Sequence, residues 1–213
     1  MPTKPKRPAN PLALAVLTLL YERPMHPYEM AATLKERRKE ASIKLNYGSL
    51  YTVIEGLLRE KFIRTLETTR EGRRPERTVY ALAAQGESEM LSWMRDLVGT
   101  PVKEYPQFEA ALSLLPVLPP EEAIELLTQR TQLLKTVIAS FKIEEQEHRA
   151  MKLPRLFAIE SEFHEAMVRT ELQYIESLLR DLKRDAKGLT TDWKNIRQFL
   201  LKSKKANPKG ERK

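Results

Sequence analysis

The sequence predicts a mainly α-helical protein with one small β-hairpin, in an N-terminal and a C-terminal part. Three observations predict this class. Apolar residues recur at helical spacing over most of the chain, and near residue 62 the period changes from 3.6 residues to 2. After residue 106 the helical pattern returns in long segments bounded by prolines. The 213 residues, 41% of them hydrophobic, suffice for one large or two small domains.

Two helices are predicted near the N-terminus. The first starts at Asn10, a candidate N-cap, with Pro11 at the first helical position, and it ends by Pro24. Its apolar residues are Leu12, Val16, Leu19 and Leu20. The second helix is expected from Pro27 to about Lys39. The apolar residues at its start are Tyr28, Met30, Ala31 and Leu34.

A third helix is predicted after Asn46, another candidate N-cap. One stripe at i, i+3, i+4, i+7 and i+8 holds Leu50, Val53, Ile54, Leu57 and Leu58. The opposite face begins with the small or short residues Gly48, Ser49 and Thr52, and Lys44 and Tyr47 flank that end. Such a helix suits the major groove of DNA, where its first turn reads base edges. A core helix with an ordinary solvent face would show the same stripe.

Two segments with a period of 2 then predict a hairpin over residues 62–68 and 77–82. The tip between them carries Arg70, Arg73 and Arg74, and Arg77 follows at its base. Guanidinium groups match phosphate oxygens and narrow minor grooves, so these arginines indicate a DNA-contacting wing. A solvated charged loop is the alternative interpretation, and the helix that precedes the hairpin favours the wing.

Three helices followed by a hairpin are the order of a winged helix-turn-helix. Residues 10–86 resemble the PadR family of bacterial transcriptional regulators through residues 25–30, 47–51, 57–63 and 74–82, with Gly86 after them. The family's Gly-Thr-Leu-Tyr-Pro core is Gly-Ser-Leu-Tyr-Thr here, so Thr52 replaces Pro. Lys61 replaces a Gly before the first wing strand, and Ala83 replaces a Thr after the second. The resemblance implies a dimeric regulator, most often a repressor, whose C-terminal helices form the dimer and sometimes respond to a small molecule.

The C-terminal part has the pattern of pairing helices. A short helix from Pro106 is stopped by Pro116, and Pro119 and Pro120 open a longer one. The longer helix has a seam of alternating 3- and 4-residue spacings, formed by Ile124, Leu127, Thr131, Leu134, Ile138 and Phe141. A second long helix is expected after Pro154, ending at about Lys187.

This second long helix carries two apolar stripes about 120° apart. One contains Val168, Leu172, Ile175, Leu179 and Leu182, and the other contains Phe163, Met167, Tyr174 and Leu178. One stripe can pack on the preceding helix, whereas the other needs the body of the same chain or a second subunit. We expect a homodimer. The residues assigned to its contact are Phe163, Met167, Val168, Leu172, Ile175, Leu179 and Leu182.

Positive charge is concentrated at the two ends of the chain, whose net charge is +8. Residues 1–100 hold 17 Lys and Arg against 12 Asp and Glu, and residues 101–188 hold 12 against 15. Residues 189–213 hold 8 against 2, and we expect them to form a basic, partly disordered tail. The distribution fits a polyanion-binding head on a near-neutral body.

No catalytic constellation is evident. His26, His148 and His164 are far apart in sequence, and the chain has no Cys, so we expect no metal site, no cofactor and no enzymatic activity. The absence of Cys and of a long apolar run is compatible with a cytoplasmic protein that has no membrane segment. Trp93 lies on a stripe with Met90, Met94 and Leu97, where two roles are open: core packing, or lining an effector pocket between head and body.

The sequence therefore predicts a winged helix over residues 1–86, linking helices over 87–118, a helical dimerisation domain over 119–188 and the basic tail. The predicted function is a homodimeric repressor that binds a pseudo-palindrome in double-stranded DNA. Its expected DNA contacts are Lys44, Asn46, Tyr47, Gly48, Ser49, Tyr51, Thr52, Arg70, Arg73, Arg74 and Arg77. The alternative is a winged-helix adaptor whose third helix and wing bind protein.

Overall fold

A computed structural model describes residues 10–69 and 77–206, and the chain divides into two compact units, Met1–Lys103 and Glu104–Lys213. The first unit contains α1 (Pro11–Glu22), α2 (Pro27–Glu36), α3 (Tyr47–Arg59), β1 (Ile63–Thr69), β2 (Arg77–Leu82) and α4 (Ala84–Gly99). The second contains α5 (Gln107–Ser113), α6 (Pro120–Ala150), α7 (Ile159–Lys183) and α8 (Leu189–Ala206). The predicted fold class, mainly α-helical with a winged helix and a helical C-terminal region, is confirmed.

Side-chain caps set the starts of the first three helices. The Asn10 side chain accepts a hydrogen bond from the Leu12 N–H at 3.0 Å, as the sequence predicted. Asn46 Oδ1, also predicted as a cap, accepts one from the Ser49 N–H at 2.6 Å. His26 caps α2 through Nδ1, which accepts from the Tyr28 N–H. Each cap satisfies a backbone donor that the first turn of a helix cannot pair internally.

The end of α2 differs from its prediction. The helix ends at Glu36 instead of about Lys39, because Arg38 takes a left-handed conformation with φ 54°. A single 3-10 turn, Lys39–Ala41, follows that break. The segment between α2 and α3 is therefore about three residues longer than the sequence predicted.

The hairpin pairs β1 with β2 in antiparallel register, with Ile63 opposite Leu82 and a register shift between Thr65 and Glu67. The turn between α1 and α2 joins this sheet. The Met25 N–H donates to the Tyr80 carbonyl at 3.1 Å, and the Tyr80 N–H donates to the Met25 carbonyl at 3.0 Å. This bridge, which the sequence did not predict, fixes the base of the wing to the helix-turn-helix.

One hydrophobic core unites the helices and hairpin of the first unit. Its larger buried side chains are Leu12, Val16, Leu17, Met25, Met30, Leu50, Ile54, Leu57, Phe62, Met90 and Trp93. The start of α4 approaches this core closely at Gly86, where an added Cβ would lie 1.9 Å from the Phe62 carbonyl oxygen. Glycine at this position lets the helix backbone contact the backbone that leads into β1.

In the second unit α6 packs along α7. The predicted seam of α6 buries Leu127, Thr131, Ile138 and Phe141, while Ile124 and Leu134 are partly buried. The Arg130–Glu171 and Lys135–Glu176 ion pairs flank the seam. Five residues that the sequence assigned to the dimer contact pack against α6 of the same chain: Val168, Leu172, Ile175, Leu179 and Leu182. The first stripe of α7 is thus an intrachain contact, because α6 offers a matching seam.

Within the predicted basic tail, residues 189–206 form a helix, α8, which the sequence analysis did not predict. Trp193 anchors this helix: its side chain is buried beside Leu182, and its Nε1–H donates to the Leu118 carbonyl at 3.0 Å. Asp185, in the bend that separates α7 from α8, accepts hydrogen bonds from the Thr190 and Thr191 N–H groups. The sequence placed the end of α7 at about Lys187, but the helix stops at Lys183 before this bend.

Candidate nucleic-acid interface

The start of α3 combines a firmly held backbone with an exposed surface. Leu50, Val53, Ile54 and Leu57 are buried, so the inner face of the helix is fixed in the core as predicted. On the other side Tyr47 and Tyr51 are 49% and 48% exposed, and Thr52 is exposed as well. The first five residues of α3 therefore present two aromatic rings with phenol groups to the surroundings. Such a surface can reach both the phosphates and the base edges of a duplex.

Gly48 and Ser49 add little bulk to this surface. An added Cβ at Gly48 would meet only Asn46 Oδ1, at 3.6 Å, so the outer side of the backbone is open. The Thr52 hydroxyl turns back along the helix and donates to the Gly48 carbonyl at 3.0 Å. Of the other predicted contacts, Lys44 and Asn46 are exposed just before the helix. These predicted contact residues of α3 thus lie at one end of one element.

Lys35 belongs to this surface, although the sequence did not single it out. Its Nζ lies 5.7 Å from the centroid of the Tyr47 ring, in a cation–π contact between α2 and α3. The contact places a positive charge next to the first residue of α3. No periodic pattern relates Lys35 to Tyr47, because they come from different helices and meet only through the fold.

Two ion pairs connect the C-terminal end of α1 with α2. Arg37 forms a two-pronged pair with Glu22, in which Nη2 lies 2.7 Å from Oε2, and Arg23 pairs with Glu29. The hydrogen bond from Arg37 lowers the pKa of Glu22, and the one from Arg23 lowers the pKa of Glu29. Both pairs are largely exposed, so their contribution is small and they mainly orient the two helices. The guanidinium groups of Arg23 and Arg37 thus bind carboxylates of the same chain.

The wing is described only at its base. Arg70, Arg73 and Arg74 lie outside the described residues, and Arg77 is the first residue of β2. The strand begins just after Lys61, which adopts a left-handed backbone with φ 59°. A glycine adopts this conformation without steric cost, which accounts for the glycine in the PadR pattern at this position.

The remaining candidate groups do not form a second site. Trp93, the candidate effector-pocket residue, is 6% exposed in the core of the first unit, whereas Met94 and Leu97 on the same helix are exposed. Over residues 10–69 and 77–206, no group of His, Asp and Glu is arranged to hold a metal ion. Within the same ranges, every helix is too short or too polar to cross a membrane.

Residues 16–92 match the Transcriptional regulator PadR-like family. The winged helix of this chain is a PadR-like domain. The family is one of transcriptional regulators, and the resemblance predicted from the sequence is confirmed. No curated protein matches the chain.

Solved PadR structures share the fold over most of the chain. Bacillus subtilis PadR in complex with operator DNA has a TM-score of 0.64 at 20% identity, covering 83% of this chain and 99% of that one. The same protein with p-coumaric acid has a TM-score of 0.64 at 18% identity, covering 81% and 98%. The PadR-like regulator BC1756 from Bacillus cereus has a TM-score of 0.55 at 15% identity, covering 82% and 99%.

Proposed function

We propose that this chain is a sequence-specific DNA-binding repressor that acts in the cytoplasm as a homodimer on a pseudo-palindromic operator. The observation that carries the proposal is the exposed start of α3 within a PadR-like winged helix. Helix starts bind phosphate well, since their free N–H groups point outward, and short side chains allow the helix to enter the major groove. Bacillus subtilis PadR, which has this fold, was crystallised with operator DNA.

In this proposal α3 and the residues just before it read the operator, and the wing binds phosphate. The α3 contacts are Lys44, Asn46, Tyr47, Gly48, Ser49, Tyr51 and Thr52. The wing contacts are Arg70, Arg73, Arg74 and Arg77. The winged helix over residues 1–86 binds DNA, residues 87–118 link it to the body, and residues 119–188 form the dimer. A small molecule relieves repression, a role supported by the p-coumaric acid complex of the Bacillus subtilis protein.

Gel shifts at two salt concentrations test the DNA-binding step. Each lost phosphate contact lowers the slope of log affinity against log salt by about one unit. We expect the double variant Arg73→Ala, Arg74→Ala to bind all sequences more weakly and with a smaller slope, while Lys142→Ala on α6 leaves both unchanged. An unchanged slope in the double variant removes the wing from the interface. No retarded complex even at low salt would reject DNA binding and favour the protein-adaptor function.

A further inference from the structure

The hydrogen-bonding capacity of the α3 surface is unequal at its two aliphatic hydroxyl groups, those of Ser49 and Thr52. The Thr52 hydroxyl has one proton, and it donates that proton to the Gly48 carbonyl at 3.0 Å. Ser49 is half-buried one turn earlier, and its hydroxyl forms no hydrogen bond with any residue the structure describes. Ser49 can therefore donate or accept at a ligand, whereas Thr52 can donate only after breaking its bond to the helix.

The two branches of the Thr52 side chain consequently differ in what they offer. The hydroxyl is held against the backbone of the preceding turn, while the methyl group has no bond to give up. The residue as a whole is exposed. Gly48, to which the hydroxyl is bound, carries no side chain that would cover the outer surface at this turn. A partner approaching α3 would thus find at Thr52 a methyl group and an oxygen that can accept, but no free donor.

The four bases differ in how well their major-groove edges suit a side chain that offers a methyl group and no free donor. Guanine presents two acceptors there, which need a donor, and thymine presents an acceptor and a C5-methyl group. A methyl group without a free donor satisfies neither acceptor of guanine, but it can contact the thymine methyl without any loss of hydrogen bonding. The methyl group of Thr52 therefore matches the C5-methyl group, which only thymine presents in the major groove.

We propose that Thr52 determines sequence specificity by contacting the C5-methyl group of a thymine in each half-site, and that its hydroxyl serves to hold the side chain in place. The inference rests on the proposed DNA-binding function and adds which atom reads which base. The contact buries about one methyl group, which corresponds to roughly fourfold in affinity.

The test begins with selection of bound duplexes from a random pool by the full-length protein. In the selected site each thymine is then replaced, one at a time, by uracil, which lacks only the C5-methyl group. We expect the wild type to lose about fourfold in affinity at one thymine per half-site. Thr52→Val, which keeps the methyl group and replaces the hydroxyl with a second methyl, should retain that sensitivity. Thr52→Ser, which keeps the hydroxyl, should bind thymine and uracil equally well at this position. Ser49→Ala is the matched control and should retain the sensitivity.

The opposite pattern, sensitivity retained in Thr52→Ser and lost in Thr52→Val, would assign the reading to the hydroxyl and overturn the proposal. Wild-type affinity that no uracil substitution changes would also overturn it. Circular dichroism verifies that each variant keeps its helices. The proposed function fails separately: a selection that enriches no sequence rejects specific DNA binding together with this inference. An enriched site whose thymines are not coupled to residue 52 rejects only the inference.

Discussion

The turn between α3 and β1 places a lysine where a glycine would fit best. The Phe62 N–H donates to the Leu57 carbonyl and the Lys61 N–H to the Leu58 carbonyl, both at 2.9 Å. These two bonds form a Schellman motif, whose penultimate residue has a left-handed backbone. Lys61 provides that conformation with φ 59°. A side chain in this region costs about 1 kcal/mol or more, which glycine avoids.

We therefore expect Lys61→Gly to raise the free energy of unfolding by about 1 kcal/mol. Lys61→Ala is the control, because it removes the charge and keeps the Cβ, and it should produce no gain. Denaturant titrations monitored by circular dichroism compare the two variants. Equal stabilisation by both substitutions would show that the charge of Lys61, and not its backbone, limits stability.

A second glycine position tests the contact between α4 and the strand entrance. At Gly86 an added Cβ would lie 1.9 Å from the Phe62 carbonyl oxygen, whereas at Gly99 it would meet nothing within 4 Å. Gly86→Ala should force the backbone segments apart and lower the free energy of unfolding by at least about 1–3 kcal/mol, as overpacking does. Gly99→Ala, on the same helix, should leave the thermal midpoint nearly unchanged. A neutral Gly86→Ala would contradict the close approach of α4 to Phe62.

At the scale of elements, local signals were enough for the winged helix and for α6. Asn caps and one-sided apolar stripes predicted α1 and α3, and the seam of α6 appears at its predicted positions. The end of α2 was not predictable in this way, because Arg38 has a left-handed backbone and a side chain with no preference for it. Lys35 reaches Tyr47 only through the packing of α2 on α3, so its place at the site required the structure.

In α8 a high lysine content made a helical pattern of apolar residues easy to overlook. Its lysines led us to expect a basic, partly disordered tail, yet Leu189, Trp193, Ile196 and Leu200 lie at spacings of 4 and 3. Of these four, Trp193 is buried, whereas Leu189, Ile196 and Leu200 are 39%, 49% and 45% exposed. The cap of α8 comes from Asp185, which reaches over the bend from before the helix. Neither feature follows from the charge count.

Asp185 makes the start of α8 sensitive to acid. The Thr191 hydroxyl is the main cause that lowers the pKa of this carboxyl group, and the N–H groups of Thr191 and Thr190 add to it. Because the pKa is lower in the folded protein, the carboxylate contributes stability above the unfolded value of about 3.9. That contribution is lost as the pH falls through the folded pKa.

We expect the amide protons in the first turn of α8 to lose protection in hydrogen exchange as the pH falls below about 4, relative to those of α6. The intrinsic exchange rates must be divided out at each pH. Asp185→Asn should weaken protection at neutral pH and remove most of the dependence on pH. Asp181→Asn, near the end of α7, is the control and should retain it. A pH dependence that persists in Asp185→Asn would assign the effect to another group.

At the scale of the whole molecule, the two apolar stripes of α7 differ in burial. The first stripe, with Ile175 fully buried, packs inside the chain. The second stripe leaves Phe163 66% exposed and Met167 and Tyr174 each 53% exposed. These rings and thioether are large apolar groups on one line of a helix. Leu178, the fourth residue of this stripe, packs against the intrachain core. We therefore assign the proposed dimer contact to Phe163, Met167 and Tyr174.

The double variant Phe163→Glu, Met167→Glu should separate the dimer into folded monomers, since both positions are exposed within the chain and a charge there meets no intrachain core. Sedimentation equilibrium should show one chain per particle, while circular dichroism retains the helices. Ile175→Ala is the contrasting variant: it should cost about 2–5 kcal/mol through a buried cavity, because the side chain is internal.

On DNA, a symmetric dimer engages two half-sites whose centres lie about one turn, roughly 10 base pairs, or a multiple of it apart. Footprinting of the wild type should show two protected half-sites. The monomeric double variant should protect neither at the same concentration, because each winged helix then binds without the avidity of its partner. If the wild type is itself monomeric at micromolar concentration and protects a single half-site, the second stripe has another use and each chain acts on DNA alone.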